Sequence, residues 1–259
     1  MRVTEPKVYL IGETKVLDEG LNEYLNDVGA PEWTTDAPSD SEKLIEVYGR
    51  LCYKSWKPGL NKNVTRVRQG NEKYIGHIVE VGHGSVTECA TTNWIFKDVS
   101  RVLTHELVRH RTGTHISQES LRYVRLDDIG VTLPPEILEE EYLRRTFLKA
   151  IESSESSIKV LEELLNMDDL PFSEKKKLTS TLRRLAPCGL STTIGWSANM
   201  RTLRHVIEMR THRSAEWEIR VVFDEVAKIA KERYPNMFAD YKREEVDDIG
   251  EWTTENNKI

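Results

Sequence analysis

The sequence of 259 residues has few cysteines, no long apolar run and no excess of positive charge. Its three cysteines, Cys52, Cys89 and Cys188, are far apart and none belongs to a C-x-x-C pair, so neither a disulfide framework nor a zinc ribbon is predicted. No apolar run reaches the ~18 residues that a membrane span requires. The N-terminal residues also lack the apolar stretch of a signal peptide. We therefore expect a cytoplasmic protein that binds no membrane.

Motifs for several nucleotide and metal sites are also missing. Neither G-x-G-x-x-G nor a Walker A sequence occurs, so a Rossmann or P-loop site is not supported. His105 and His110 lie five residues apart, whereas a zinc-protease helix needs two histidines four apart on one face, so no metal site is predicted. The 37 basic and 43 acidic residues give a formal charge of −6. This argues against a nucleic-acid partner, because such proteins are more often basic over a whole face.

Helix-like and strand-like patterns interleave along the chain, with helix in the majority. This order predicts an α/β or α+β fold. Predicted strands cover residues 8–11, 85–96, 118–126 and 190–197. Predicted helices cover 41–51, 71–81, 100–113, 134–161, 173–185, 200–212 and 215–233. We expect residues 1–235 to form a single domain and the polar tail 236–259 to be irregular.

The densest group of polar and charged residues runs from Arg109 to Tyr123 and holds three arginines and two histidines. Arginine presents planar, forked donors whose usual partners are carboxylates and phosphates. A local group of cations in an acidic chain therefore predicts a site for small anionic ligands. For any one of these arginines, the alternative is a cationic helix end that is simply solvated.

The spacing within this stretch suggests two neighbouring ligands. On a helix that ends at Gly113, the side chains of residues 109–111 fan over ~200°. In an extended segment, Gln118, Ser120 and Arg122 share one face and form a clamp for a phosphate or carbonyl group.

A second cluster of cations stands in the C-terminal half of the chain. Arg201 and His205 are four residues apart and share one face of the predicted helix, whereas Arg210 points to the opposite side. A surface arginine paired with Glu208 or Glu218 is the alternative for Arg210. A structural role is the alternative for His205.

The pair Pro187-Cys188 resembles the nucleophile of the thymidylate synthases that use a cysteine. Such a thiolate needs cations or a helix N-terminus to lower its pKa, and Arg183 and Arg184 are near in sequence. A buried, unreactive cysteine is the alternative.

Several motifs occur in an order that is typical of one enzyme family. They are Gly49-Arg50-Leu51-Cys52-Tyr53; His83-Gly84-Ser85-Val86-Thr87-Glu88; Arg109-His110-Arg111, eight residues, then Ser120-Leu121-Arg122-Tyr123; Asn199-x-Arg201, then Arg210; and Ala215-Glu216-Trp217-Glu218-Ile219. Together they resemble the flavin-dependent thymidylate synthases, whose signature has R-H-R, seven residues and then Ser. The resemblance covers residues 44–233, with one inserted residue placed around Gly113 to Ile116.

The resemblance implies the fold, activity and partners of that family. The fold would be helix-rich around a central mixed or antiparallel sheet. The activity would be the reductive methylation of dUMP to dTMP, with FAD as cofactor, methylenetetrahydrofolate as carbon donor and NADPH as reductant. The assembly would be a homotetramer whose active sites are shared between subunits.

The resemblance also assigns residues to the two ligands. For the cofactor these are Ser85, Glu88, Arg109, His110, Arg111, Asn199, Arg201 and His205. For the substrate they are Glu106, Arg109, Gln118, Ser120, Leu121, Arg122, Arg183 and Arg210. Arg210 would be the catalytic residue, because a guanidinium there stabilises the uracil ring as it ionises.

Three departures from the family pattern affect individual contacts. Cys52 stands where members of the family usually have Ser, and Ser214 stands where they can have a His that contacts the flavin. Glu106 stands where they can have a Gln that reaches the nucleotide. The Glu106 carboxylate would repel a phosphate unless it is paired with Arg109 or Arg101.

Two other functions stay open at this point. The inserted residue near the substrate clamp leaves open a second function. In it, the protein is a related flavin-dependent enzyme that modifies the same nucleotide, for example by hydroxymethylation. The arginine clusters alone would also suit a non-catalytic protein that binds nucleotides or RNA.

Overall fold

A four-stranded antiparallel sheet lies at the centre of the fold in the computed structural model, which describes residues 2–123 and 130–259. The strands are β1 (Arg2–Val3), β2 (Lys7–Glu13), β3 (Thr91–Ser100), β4 (Thr114–Gln118), β5 (Gly130–Val131), β6 (Ser191–Asn199), β7 (Lys242–Val246) and β8 (Ile249–Thr253). The helices are α1 (Asp18–Asp27), α2 (Asp40–Tyr53), α3 (Asn71–Glu80), α4 (Arg101–Leu107), α5 (Pro135–Leu138), α6 (Glu141–Leu164), α7 (Phe172–Leu182), α8 (Met200–Thr211) and α9 (Trp217–Arg233). The predicted fold class, including an antiparallel central sheet, is confirmed.

The central sheet has the strand order β2-β3-β6-β4, and each pair of adjacent strands in it is antiparallel. Strands β1 and β5 form a small parallel pair, and β7 and β8 form a hairpin. Because β3 and β6 are adjacent, the helices that follow them, α4 and α8, start from the same pair of central strands.

One face of the sheet forms the main core because alternate residues of each strand point the same way. Trp94 on β3 lies opposite Trp196 on β6, and both are buried. Phe96 and Trp196 each pack against Phe223 of α9, with ring centroids 5.9 and 5.6 Å apart. Large aromatic rings contribute most of the apolar area that such a core removes from water, so this packing fixes α9 against the sheet.

Helix α4 begins as predicted but is shorter than predicted. The Ser100 hydroxyl accepts from the Leu103 backbone N–H at 3.1 Å, which confirms Ser100 as the N-cap. The helix ends at Leu107 rather than at Gly113, so the prediction that residues 109–111 fan around a helix is wrong. The chain leaves the helix early because it must return to the sheet, where the Asn199 N–H donates to the Gly113 carbonyl at 3.0 Å.

The strands on either side of α4 also differ from the prediction. Residues 84–87 form a 3-10 turn, in which the Thr87 hydroxyl donates a hydrogen bond to the Gly84 carbonyl at 2.7 Å. Strand β3 therefore begins only at Thr91. Strand β4 covers 114–118, where it pairs with β6, and a turn follows at residues 121–123. The predicted extended row therefore does not reach Arg122, and residues 124–126 of that prediction lie outside the described residues.

Other boundaries follow from local capping. Strands 8–11 and 190–197 and the helices at 71–81, 173–185, 200–212 and 215–233 are confirmed within a few residues. The helix predicted for 134–161 is interrupted before α6, because the Glu140 carboxylate accepts from the Leu143 N–H at 2.6 Å and caps a new helix. Ser39, not Ser41, caps α2, and α1 was not predicted.

The C-terminal residues are folded, so the prediction of an irregular tail is wrong. The β7–β8 hairpin packs on α9, where Asp224 accepts from the Trp252 indole N–H at 2.7 Å and from Arg243. The fully buried Arg204 of α8 donates to both carboxylate oxygens of Asp240 at 2.9 and 2.8 Å. Sequence patterns missed the hairpin because neither strand alternates: β7 is charged and exposed over most of its length, and β8 buries Glu251 next to Trp252.

The ion pair between Arg204 and Asp240 predicts a pH-dependent contribution to stability. Burial by itself would raise the pKa of Asp240, but the hydrogen bonds and charge of Arg204 outweigh it and lower the pKa to about 2. A carboxyl with a lowered pKa stabilises the fold above its unfolded pKa near 3.8, and the contribution is lost as the pH falls through the folded value.

Asp240→Asn should therefore destabilise the protein by about 2 kcal/mol or more at neutral pH. The difference from wild type should shrink by roughly half by pH 3. Urea unfolding followed by circular dichroism at several pH values measures both quantities. Glu244→Gln, on the exposed side of β7, is the control and should show no such trend. An Asp240→Asn effect that is the same at pH 7 and pH 3 would contradict this role for Asp240.

Candidate active site

The start of α4 is anchored to α9 by a buried carboxylate. Glu218 accepts from the Ser100 backbone N–H at 2.7 Å and also from the Ser100 hydroxyl. Burial raises the pKa of Glu218, although the bonds from Ser100 act in the opposite direction. The anchor fixes where α4 leaves the sheet and therefore where the residues after its last turn are placed.

A first cleft of about 330 Å³ opens between the segment after α4 and the start of α8. Its lining residues are Glu88, Arg109, His110, Arg111, Thr112, Asn199, Arg201, Thr202 and His205. Apart from the two threonines, all of them were predicted as cofactor-binding residues. Ser85, the remaining residue of that set, is exposed in the 3-10 turn just before Glu88.

The walls of the first cleft meet at two glycines. A Cβ at Gly84 would lie 2.7 Å from the Arg201 Nε atom. A Cβ at Gly113, whose φ of +68° is left-handed, would collide with the Thr202 hydroxyl and the Asn199 amide. Position 113 therefore requires glycine, whereas a side chain at position 84 would displace the Arg201 guanidinium. The two glycines bring their loops close to the N-terminal turn of α8.

Arg201 and His205 share one face of α8 in this cleft, as predicted. The Arg201 Nη1 atom lies 2.7 Å from the Glu88 carboxylate, which belongs to the turn on the other wall. Within residues 2–123 and 130–259, Arg109 and Arg111 form no ion pair. The first cleft thus holds one arginine with a carboxylate partner and two whose forked donors are available to an anionic ligand.

A second cleft of about 650 Å³ lies on the other side of Arg109. Its lining residues are Arg101, Val102, His105, Glu106, Arg109, Cys188, Arg210, Ser214, Ala215 and Glu216. Glu106, Arg109 and Arg210 belong to the predicted substrate-binding set. Because Arg109 lines both clefts, two ligands bound there would be neighbours, as the sequence suggests.

Arg210 is held by three hydrogen bonds to the end of α4. Its Nη1 donates to the Glu106 carboxylate at 2.8 Å, its Nη2 to the Glu106 carbonyl at 3.0 Å, and its Nε to His110 Nε2 at 2.7 Å. Glu106 is therefore paired with Arg210 and not with Arg109 or Arg101, the two partners that the sequence suggested could offset its repulsion of a phosphate. The alternative in which Glu208 or Glu218 pairs with Arg210 is wrong. The reason is tertiary: the last turns of α4 and α8 lie side by side.

His110 is a neutral hydrogen-bond acceptor in this arrangement. Burial, the charge of Arg210 and the nearby His205 lower the pKa of His110 to about 4. The two imidazole rings meet edge to face, with centroids 6.2 Å apart. Since a proton on Nε2 would point at the Arg210 N–H, the neutral form is the one that holds the guanidinium in place.

The other predicted substrate residues lie beyond the two clefts. Gln118 at the end of β4 donates to the Thr104 hydroxyl of α4 at 3.4 Å. The Ser120 hydroxyl accepts from the Arg122 backbone N–H at 3.3 Å, so both stand in the turn after β4. Leu121 packs against a small cluster that includes Ile158.

Arg183 approaches the second cleft from the turn after α7. Burial and the charge of Arg183 both lower the pKa of Arg101, which lines that cleft. The structure therefore brings Arg183 near Arg101. Ser120, Leu121 and Arg122 are not among the lining residues of either cleft, although Arg101 donates to the Glu119 carbonyl just before them at 3.2 Å.

Sequence reasoning missed several residues of the second cleft. Arg101 and His105 are four apart on α4 and share a face, a signal that helical spacing offered. Cys188 and Glu216 come from distant segments, and no local pattern places them there. Cys188 is exposed, so the alternative of a buried cysteine is wrong. Ser214, noted as a departure, also lines this cleft.

Comparison with known proteins decides the family. A family profile described as "Thymidylate synthase complementing protein" matches residues 35–236. The chain is 34% identical to the flavin-dependent thymidylate synthase of Mycobacteroides abscessus, over 81% of this chain and 83% of that protein. It is 34% identical to that of Mycobacterium marinum, over 93% and 92%. The chain belongs to the flavin-dependent thymidylate synthase family. The resemblance read from the motifs is thus confirmed.

Solved structures confirm the fold of this flavin-dependent thymidylate synthase family member. The crystal structure of a UMP/dUMP methylase, PolB from Streptomyces cacaoi bound with 5-Br dUMP, superimposes with a TM-score of 0.65. It shares 14% sequence identity and covers 92% of this chain and 96% of its own. In residues 2–123 and 130–259, no helix combines the length and apolarity that a membrane crossing needs.

The contact between Arg210 and His110 gives a testable prediction for this family member. Arg210→Met removes a cation and a donor from the imidazole, so the pKa of His110 should rise from about 4 toward its ordinary value of 6.5. Hydrogen–deuterium exchange at the histidine C2 position, read by mass spectrometry across pH, measures it.

Arg213→Met is the matched control, because Arg213 follows the same helix but pairs with Glu251 at 2.8 Å. It should leave the pKa of His110 unchanged. If Arg210→Met also leaves that pKa unchanged, Arg210 does not donate to His110 in solution.

Proposed function

We propose that this protein is a FAD-dependent thymidylate synthase that converts dUMP to dTMP. Methylenetetrahydrofolate supplies the carbon and NADPH the reducing equivalents. The observation that carries the proposal is the pair of adjacent clefts that share Arg109 and have cationic donors on both sides. One cleft suits a dinucleotide cofactor and the other a nucleoside monophosphate.

The residues of the first cleft fit FAD. Arg109 and Arg111 supply forked cationic donors of the kind that bind phosphate oxygens. Asn199 is oriented by its own capping bond to the Thr202 N–H at 2.9 Å. The glycine at 113 lets a ligand and two chain segments come close together. When bound, the flavin supplies the redox chemistry that the side chains of this chain lack.

The second cleft fits dUMP. As the uracil ring is reduced, negative charge builds on its N3 and O4 atoms, and Arg210 is the guanidinium that can stabilise this charge. Glu106 and His110 orient it beforehand, so little reorganisation is needed when the charge develops. Because the Glu106 carboxylate is already paired with Arg210, its repulsion of a substrate phosphate is reduced.

The phosphate of dUMP has several candidate partners. Arg183 lies near Arg101 at the edge of the second cleft. Ser120, Leu121 and Arg122 line neither cleft of their own chain. This supports a homotetramer in which the clamp after β4 completes an active site of another subunit. We extend the proposal to a cytoplasmic enzyme in which residues 1–235 carry the predicted site residues and the C-terminal hairpin packs on them.

Anaerobic turnover tests the proposal directly. The purified protein should be yellow with the absorption of FAD, and with dUMP, methylenetetrahydrofolate and NADPH it should release a nucleotide whose mass identifies it as dTMP. If the product is hydroxymethylated instead, the protein is the related enzyme that modifies the same nucleotide without methylating it. A colourless protein that binds oligonucleotides with steep salt dependence would instead support the non-catalytic alternative.

Arg210→Ala separates cofactor binding from chemistry. Since Arg210 lines the second cleft and not the first, the variant should keep its FAD. It should lose roughly 10²-fold or more in kcat, as expected when one preorganised donor is removed. Arg210→Lys keeps the charge without the fork and should lie in between. Arg145→Ala, on the exposed side of α6, is the control. Normal turnover by Arg210→Ala would remove Arg210 from the catalytic step.

A further inference from the structure

Residues 254–259 form a strap that crosses from the β7–β8 hairpin to the first cleft. The Thr254 hydroxyl and the Asn256 amide both donate to the Asp240 carboxylate, at 2.5 and 2.9 Å. At the other end, Ile259 is 4% exposed and belongs to the main core. The strap is therefore fastened at both ends, and it lies outside residues 35–236, which the family profile matches.

Between its two attachments the strap meets the first cleft. The Lys258 carbonyl accepts from the Arg201 Nη2 atom at 3.4 Å. The Lys258 side chain passes over the turn after α3, where its Cβ is 3.6 Å from the position of a Cβ on Gly82. Arg201 thus has two acceptors that orient its guanidinium, Glu88 from one wall and Lys258 from the strap.

The same C-terminal region holds α8 along its length. The Trp252 N–H donates to the Thr211 hydroxyl at 3.0 Å near one end, and Asp240 binds Arg204 near the middle. Lys258 reaches Arg201 near the other end. Since α8 carries Arg201 of the first cleft and Arg210 of the second, the hairpin and the strap fix the helix that presents these two arginines.

We propose that the strap is a positioning element that orients Arg201 for the anionic cofactor of the first cleft. This rests on the proposed function, in which that cofactor is FAD. A long arginine side chain loses rotamer freedom when it binds a ligand. Acceptors that hold it in one orientation beforehand reduce this loss and so strengthen binding. Arg201 is exposed enough that packing alone does not fix it, with 44% of its side chain accessible.

Two matched substitutions, each of which shortens one buried isoleucine side chain in the full-length protein, test the strap. Ile259→Ala loosens its buried end, and Ile249→Ala removes the same atoms from an equally buried position on β8, at 6% exposure, that does not contact Arg201. Titration of the apo-protein with FAD, followed by flavin fluorescence, should give a dissociation constant about tenfold weaker for Ile259→Ala. It should be unchanged for Ile249→Ala at a comparable loss of Tm. Lys258→Ala should also bind FAD normally, because the strap uses the Lys258 carbonyl.

A double-mutant cycle separates positioning from general loosening. In an Arg201→Ala background, Ile259→Ala should have no further effect on FAD affinity, because the group that the strap orients is gone. Additive effects of the two substitutions, or wild-type affinity in Ile259→Ala, would overturn the proposal. If Ile259→Ala does not fold, the double variant Thr254→Ala and Asn256→Ala loosens the other end and takes its place under the same criteria.

Failure of the strap and failure of the proposed function give different results. If the wild-type protein binds FAD and produces dTMP while all strap variants bind FAD equally well, only the strap proposal is wrong. If the wild-type protein binds no flavin, the proposed function is wrong, and the strap has no cofactor to orient.

Discussion

The hydrogen bonds from Arg210 to Glu106 and His110 join the ends of two helices that leave adjacent strands of one sheet. Residues 106 and 210 are 104 positions apart, so their meeting depends on the register of β3 and β6 and on the Glu218 anchor at Ser100. The contact fixes Arg210 at the edge of the second cleft. The segment from Arg109 to Gly113, which separates the two clefts, is held independently where the Asn199 N–H donates to the Gly113 carbonyl.

The electrostatics of the site follow from pairing some cations and leaving others available. Arg201 and Arg210, near opposite ends of α8, each have a carboxylate partner from another segment. These carboxylates orient the arginines and reduce the cost of holding a cation in a partly buried cleft. Arg109, between the clefts, has no ion pair in residues 2–123 and 130–259. A chain with a net charge of −6 can therefore concentrate positive potential where anionic ligands bind.

Local sequence patterns predicted what depends on neighbouring residues and missed what depends on distant ones. The shared face of Arg201 and His205 follows from helical periodicity, and the Ser100 cap from its residue type. The end of α4 could not be read locally, because the return of Gly113 to Asn199 on β6 decides it. The partner of Glu106 could not be read locally either, since it is an arginine 104 residues away. The hairpin after α9 was missed because its charged residues have distant partners, such as Asp224 on α9 for Arg243 and Arg213 after α8 for Glu251.

Helix α8 shows why one element can serve two ligands. Its period of 3.6 residues turns Arg201 and Arg210 to opposite sides, so a single helix lines both clefts. A helix that has ligands on two sides must be held on its other sides. Here α9 packs against one side of α8 and strand β8 of the C-terminal hairpin against another. The fully buried Arg204 is the residue that makes the second contact specific, because its fork fits only one placement of Asp240. Residues far from either cleft thereby set the distance between the two groups of cations, which is the quantity that the chemistry of two adjacent ligands requires.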